Sequence, residues 1–434
     1  MRQFKFGSAL LITLILVGCG GGGSDVPAKP KFTAQVSFGD SLSDVGTYNV
    51  GFVAAAGGGQ FSINGPNANG KAANGNNIIN WTEVTARNLG LPAPCAAVTG
   101  LIDTAGSGVL SVPVVSHPEC NGYAQGGALV TNPHGIHNTF YGTYSAASGL
   151  GGAELTYPVV TQINNYLAAN GGSFSGNELV SVVAGGNEVK LQLTLLVGGA
   201  TAAATAAVNA AVAAQIQADI TAGTCTPTDA QASNCQPAAI AELGGTAGLQ
   251  TIGNTAANTY LSPTGPAVTA AVTAMVTAAT DLVNDVNTLI LAKGAKYVVV
   301  ANIPDFADIP ALAAYSTAQK GLVDAMVTTF NSTLKTGLAG LSGSANVIYL
   351  DTYTSIKDEI TNPAKYNLTN ATSQACDPVL TPQNRALFCN ANTLIAGQTA
   401  DTHYLFADDT HPTPYGHLLF ATYVLQAMTN KGWY

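Results

Sequence analysis

Four short blocks carry residue types that together can perform acyl chemistry. Ser41, in Gly39-Asp40-Ser41-Leu42, offers a hydroxyl nucleophile. His411 and Asp408, in Asp408-Asp409-Thr410-His411-Pro412-Thr413, offer a base and a carboxylate to orient it. Asn187, in Gly185-Gly186-Asn187-Glu188, offers an amide N–H, and Gly122-Tyr123-Ala124-Gln125-Gly126-Gly127-Ala128 offers backbone N–H groups that no side chain screens. Ester hydrolysis at neutral pH needs a nucleophile, a base, a group that fixes the base's tautomer, and donors for the oxyanion. An Asp three residues before a His can reach one ring nitrogen and leave the other for the serine. Each block by itself is also an ordinary turn or helix cap. The set, not any one block, points to chemistry.

The elements that must hold these blocks are legible as apolar runs. Residues 34–38, 179–184, 297–301 and 347–350 are short, apolar and bounded by Gly, Asn or Asp, the pattern of parallel strands covered on both faces. Ser41 follows the first run and Asn187 the second, so both fall just past strand carboxyl ends, where open α/β sheets place their sites. Between the runs lie helical spacings: Val160, Ile163 and Leu167; then Val268, Val272, Met275, Ala279, Leu282, Val286 and Leu289, with Gly294 as the stop. A further apolar helix is expected over 418–428, after His411. The alternation predicts one large three-layer α/β domain over 32–434 with a parallel sheet. Two regions read as insertions: the Gly/Asn-rich 51–80, and 198–262, an Ala/Thr/Val-rich helical stretch with a Cys225 to Cys235 segment. Packing helices with a stapled loop are the first reading of the second insertion, and a lid or substrate groove the alternative.

In this order the four blocks resemble the SGNH or GDSL hydrolase family, and the fit runs from about Val36 to Leu425. The resemblance implies a flavodoxin-like α/β/α fold. It also implies Ser41 as nucleophile and oxyanion donor through its own N–H, Gly127 and Asn187 as the other donors, His411 as base and Asp408 as its partner. An acyl-enzyme on Ser41, with neither metal nor organic cofactor, follows from the same resemblance. Glu188 stands where the family usually has Asp, and Gly122 where it commonly has Asn, which leaves Gly126 a competitor of Gly127 for the oxyanion role.

Arg2 and Lys5 lead into the apolar run 9–17, which is too short to span a bilayer and is followed by Gly18 and Cys19. Residues 1–18 therefore read as a signal peptide. Leu16-Val17-Gly18-Cys19 resembles a bacterial lipobox, which implies a lipidated Cys19 that attaches the chain to a membrane. Residues 19–31 then form a tether, loose at 20–24 and stiffened by Pro27 and Pro30. Gly20 in place of aspartate implies, by resemblance to Gram-negative lipoproteins, the outer membrane. Lys and Arg number 15 against 24 Asp and Glu, for a net charge of -9. An acidic chain of this kind argues against a nucleic-acid partner. Charged residues are only 9% of the chain, against about a quarter in an average domain, which suits an extracellular surface. Apart from Cys19, the cysteines fall into three local pairs: Cys95 with Cys120, Cys225 with Cys235, and Cys376 with Cys389. In an exported chain these are disulfide candidates, and none has the spacing of a zinc site.

The remaining histidines, His117, His134, His137, His403 and His417, read as loop or helix-end residues. His403 and Asp409 are the nearest rivals of His411 and Asp408 by position. The expected activity is hydrolysis of carboxylic esters, small-molecule or lipid, with short to medium acyl chains. Only residues 191–197 and the helix after them offer added apolar wall. Acyl transfer to an alcohol, lipase or phospholipase action and polysaccharide O-deacetylation are alternatives on the same triad. The non-enzymatic alternative is a surface adhesion or binding lipoprotein.

Overall fold

The computed structural model describes residues 29–65, 79–102, 111–138, 140, 153–226, 235–399 and 402–434. The expected signal peptide, Cys19 and most of the tether lie outside the described residues. In chain order the strands are β1 (Ala34–Gly39), β2 (Val98–Leu101), β3 (Val112–Ser116), β4 (Glu178–Val183), β5 (Tyr297–Ala301), β6 (Val347–Leu350), β7 (Asn370–Gln374) and β8 (Tyr404–Phe406). The α-helices are α1 (Gly51–Ala55), α2 (Trp81–Asn88), α3 (Val159–Ala169), α4 (Gly186–Ala222), α5 (Cys235–Glu242), α6 (Gly245–Tyr260), α7 (Pro266–Asp285), α8 (Thr317–Ala339), α9 (Thr352–Thr361) and α10 (Pro414–Asn430).

The four apolar runs form a parallel sheet in the order β1-β4-β5-β6. Its register aligns Val36, Val180, Val298 and Val347 across the sheet. Gly39, Val183, Ala301 and Leu350 likewise form the carboxyl edge. Because side chains alternate along a strand, each face has its own set. Leu179, Val183, Val299, Ala301, Ile348 and Leu350 pack against Trp81 and Val84 of α2 and Phe420, Val424 and Met428 of α10. Val36, Phe38, Val180, Val182, Val298 and Val300 pack against α3, α7 and α8 through Ile163, Met275, Leu282, Val327 and Phe330. Helices thus cover both faces, which is why the strands read as unbroken apolar runs. Outside β1 the sheet gains one more parallel contact, where Ser37 N–H donates to Asn121 O at 3.1 Å and Tyr123 N–H to Ser37 O at 2.8 Å. Helix α7 runs on through a π-helical turn, Val286–Ile290, and ends at Gly294, whose φ of +102° is the expected stop.

Residues 191–197 are not a separate wall preceding an inserted helix. They belong to a single 37-residue helix, α4, that starts beside Asn187 and carries the 198–262 insertion. Gly198-Gly199 looks like a break, but here glycine permits contact: a Cβ on Gly199 would lie 2.1 Å from the Tyr260 hydroxyl of α6. A Cβ on Gly253 would face Ala204 and Val208, so α6 runs back along α4. Exposed threonines of both helices satisfy their hydroxyls by donating to the carbonyl four residues earlier, Thr205 to Thr201 and Thr255 to Thr251 among them. The insertion is a helical arm. By length and composition, Gly186–Ala222 and Pro266–Lys293 are apolar enough to cross a bilayer.

The cysteines stand in the expected pairs at disulfide spacing, with Cα–Cα distances of 5.1 Å for Cys95–Cys120, 5.8 Å for Cys225–Cys235 and 6.0 Å for Cys376–Cys389. The first ties down the segment beside β1, and the last closes the loop between β7 and β8.

Candidate active site

Gly39 ends β1 at φ +137°, and a Cβ there would lie 1.9 Å from Val183 O, so only glycine lets β1 turn so close to β4. Gln162 of α3 holds the turn, accepting from Gly39 N–H and donating to Gly39 O, both at 2.8 Å. Asp40 N–H donates to Val183 O at 3.1 Å, and the chain delivers Ser41 past the sheet edge. From the other end of the chain, Thr413 caps α10 while Ala407 N–H donates to His411 O at 2.7 Å, pinching residues 407–411 into a tight turn.

These two arrivals meet. His411 Nε2 lies 2.9 Å from Ser41 Oγ, and His411 Nδ1 lies 2.8 Å from Asp408 Oδ2. Asp408 also accepts backbone N–H groups from His411 at 2.6 Å, Thr410 at 2.8 Å and Ala386 at 2.6 Å. Burial opposes its ionisation, but the charge and hydrogen bonds of His411 and the Ala386 amide outweigh burial and hold its pKa well below the usual carboxylate range. The neighbouring carboxyls behave oppositely. Burial pushes Asp40 and Asp44 up to about 6 and Glu188 up to about 7. Asp408 is therefore the acid kept anionic beside the imidazole, while nearby acids resist ionisation.

Asn187, buried in the first turn of α4, donates one Nδ2 hydrogen to Ala128 O at 2.8 Å, leaving the second for the pocket it lines with Ser41. Gly126 is settled by its partner: its N–H donates to Asp44 Oδ2 at 2.9 Å, and its carbonyl accepts from Tyr48 at 2.9 Å. Gly127 lies between these clamps at φ +81°, and its N–H, like that of Ser41, has no acceptor among the described residues. A Cβ on Gly127 would lie 2.1 Å from Ile136 O. Ser41, His411 and Asp408 are thus joined directly, Asn187 shares their pocket, and Gly127 is attached through its two neighbours rather than lining that pocket.

The rivals stand elsewhere. His403 stacks on Tyr415 with centroids 4.0 Å apart, and its Nδ1 lies 2.8 Å from Asn367 O. The Asp409 carboxylate accepts from Thr410 Oγ1 at 2.8 Å. His117 lies 2.9 Å from Thr99 Oγ1, and His134 stacks on Phe140. His417 lies in the first turn of α10, a helix-end residue as expected, but it is buried there, and desolvation pushes its pKa down to about 3.

Several contributors were not read from the sequence. Asp44, which accepts from Gly46 and Thr47 as well as Gly126, is an Asx turn that Asp44-Val45-Gly46-Thr47 could have revealed. Phe61, from the Gly/Asn-rich segment, packs its ring 5.1 Å from that of His411, and Ser62 donates to Pro412 O at 2.9 Å. Behind Phe61 the buried Arg385 and Glu154 form an ion pair at 2.6 Å. The apolar wall beside Ser41 comes from Ile303, Phe306 and Ile309 after β5, Ile356 of α9 and Phe420 of α10. Residues 191–197 do not line it; Leu191 packs on Leu129 and Ile136, and Leu195 and Val197 are exposed.

No protein-family model matches the chain, and no curated protein matches it.

Proposed function

We propose that the chain is a serine ester hydrolase of the SGNH or GDSL type, acting on carboxylic esters with short to medium acyl chains. The observation that carries this is the unbroken hydrogen-bond chain Asp408–His411–Ser41, drawn from opposite ends of the sequence. In the proposed reaction Ser41 Oγ attacks the ester carbonyl and its proton passes to His411 Nε2. Asp408 holds Nδ1–H and stabilises the imidazolium. The oxyanion receives the N–H of Ser41 and the free hydrogen of Asn187, and the family resemblance adds the N–H of Gly127 as a third donor, which would have to reach in from beside the pocket. Collapse expels the alcohol, which takes the proton from His411, and water then releases the acid from Ser41 by the same route. The acyl chain lies against Phe306 and Ile356.

The strand order supports a flavodoxin-like α/β/α arrangement. Counting the Gly122 contact outside β1, the order begins on one side of the first strand and continues on the other, so the strand order reverses beside Ser41. Attachment to the outer membrane through a lipidated Cys19 belongs to the same proposal and rests on the lipobox.

The test is labelling with a fluorophosphonate probe alongside turnover of p-nitrophenyl butyrate. Both are expected of the native protein, and Ser41→Ala should abolish both. Turnover that survives Ser41→Ala would refute the assignment.

A further inference from the structure

Cations are scarce in this acidic chain, so one at the site needs an explanation. Lys190 lies one turn beyond Asn187 on α4 and lines the same pocket as Ser41 and His411. It is half-buried, and among the described residues no carboxylate lies within ion-pair distance of it. Asp40, Asp409 and His137, from three separate segments, lie within reach of its charge. Neither acid forms an ion pair with it, the Asp409 carboxylate being engaged by Thr410. A half-buried cation with no ion-pair partner at contact distance is open to one that a ligand brings.

We propose that Lys190 determines specificity by binding an anionic group, a carboxylate or phosphate, carried by the ester substrate. This rests on the hydrolase reading of the same site. The substrate class is then an amphiphile: an apolar portion lies against Phe306 and Ile356, the ester carbonyl is at Ser41, and a negative charge meets Lys190. A net-acidic protein repels such a substrate at long range, and a local cation offsets that where binding is decided. The anion can belong to either product of the reaction, the released acid or the released alcohol.

The experiment compares kcat/KM for matched pairs of esters. On the acyl side, p-nitrophenyl hydrogen glutarate is set against p-nitrophenyl butyrate; on the alcohol side, butyryl glycerol phosphate is set against butyryl glycerol. In at least one pair the native enzyme should prefer the anion. Lys190→Met should lower that anionic-to-neutral ratio about tenfold, the effect of one charge-assisted contact. Lys190→Arg should keep most of the ratio, and added salt should reduce it. The responding pair identifies which product carries the charge. If Lys190→Met lowers both members of each pair equally, or if neither pair favours the anion, the inference fails although the hydrolase reading stands. No turnover of any ester together with an unlabelled Ser41 defeats both.

Discussion

The two halves of the site are supported differently. Ser41 hangs from the central sheet: Gly39 is wedged against β4 and clamped by Gln162, and Asn187 starts a helix directly after β4. His411 and Asp408 sit on a turn after a three-residue strand, braced by the Ala386 amide from the Cys376–Cys389 loop and by Phe61. The half that the proposed mechanism makes the nucleophile's thus inherits the rigidity of the core, whereas the half it gives to the base is as rigid as the loops packed around it. Damage to the first should appear as lost chemistry in an intact fold, and damage to the second as loosening that spreads into lost chemistry.

Asp408→Asn is the sharpest way to break the base half. It removes the anion beside His411 and deprives at least one backbone N–H of its acceptor, so kcat should fall about 10⁴-fold. Amide exchange at Ala386 and Thr410 should quicken in the same variant. A normal kcat would remove Asp408 from the proposed mechanism. On the nucleophile side, Asn187→Ala should lower kcat by about 10² to 10³ while thermal unfolding shifts little. A loss under about threefold would make Asn187 a structural tie to Ala128. Replacing Cys376 and Cys389 together by serine should cost roughly 2 to 5 kcal/mol in urea unfolding. The comparison predicts that faster amide exchange then appears at Ala386 and His411 before β1, and simultaneous loosening of both would show that the halves are one unit.

The smallest expected effect depends on pH. Burial raises Glu188 from 4.5 to about 7. The folded state therefore keeps a proton through that window which the unfolded chain has released, and stability declines as pH rises from 4.5 to 7. Glu188→Gln carries no such proton yet can still accept the Val130 N–H. Its stability relative to the native protein should rise across the window by no more than about 3 kcal/mol, measured by urea unfolding at each end. Parallel curves would mean that Glu188 is ionised throughout.

The same contrast explains what could be read from the sequence. The four sheet strands match their apolar runs to within a residue because both faces are covered, and Ser41 and Asn187 follow from the strand ends. The pair strands β2–β3 and β7–β8 are short and partly exposed, with no comparable pattern. Ile303, Phe306 and Ile309 lie in a loop, where neither helical nor strand periodicity marks a residue as lining a pocket. The insertion expected to begin at 198 has no boundary there, since α4 runs through Gly198-Gly199 and Gly199 makes room for Tyr260. Gly126 and Gly127 differ in their partners, since Asp44 accepts the N–H of Gly126 and not that of Gly127, and neither composition nor periodicity marks that difference.

Ser41 and His411 are separated by 370 positions in the chain. At a synthesis rate of about 5 to 20 residues per second, Ser41 exists for roughly 20 to 75 s before His411 has been made. During that interval Ser41 has no imidazole beside it and is an ordinary alcohol. The distance in sequence is thus a delay in time, and every nascent or truncated chain that stops short of His411 lacks the imidazole that the proposed mechanism requires beside Ser41.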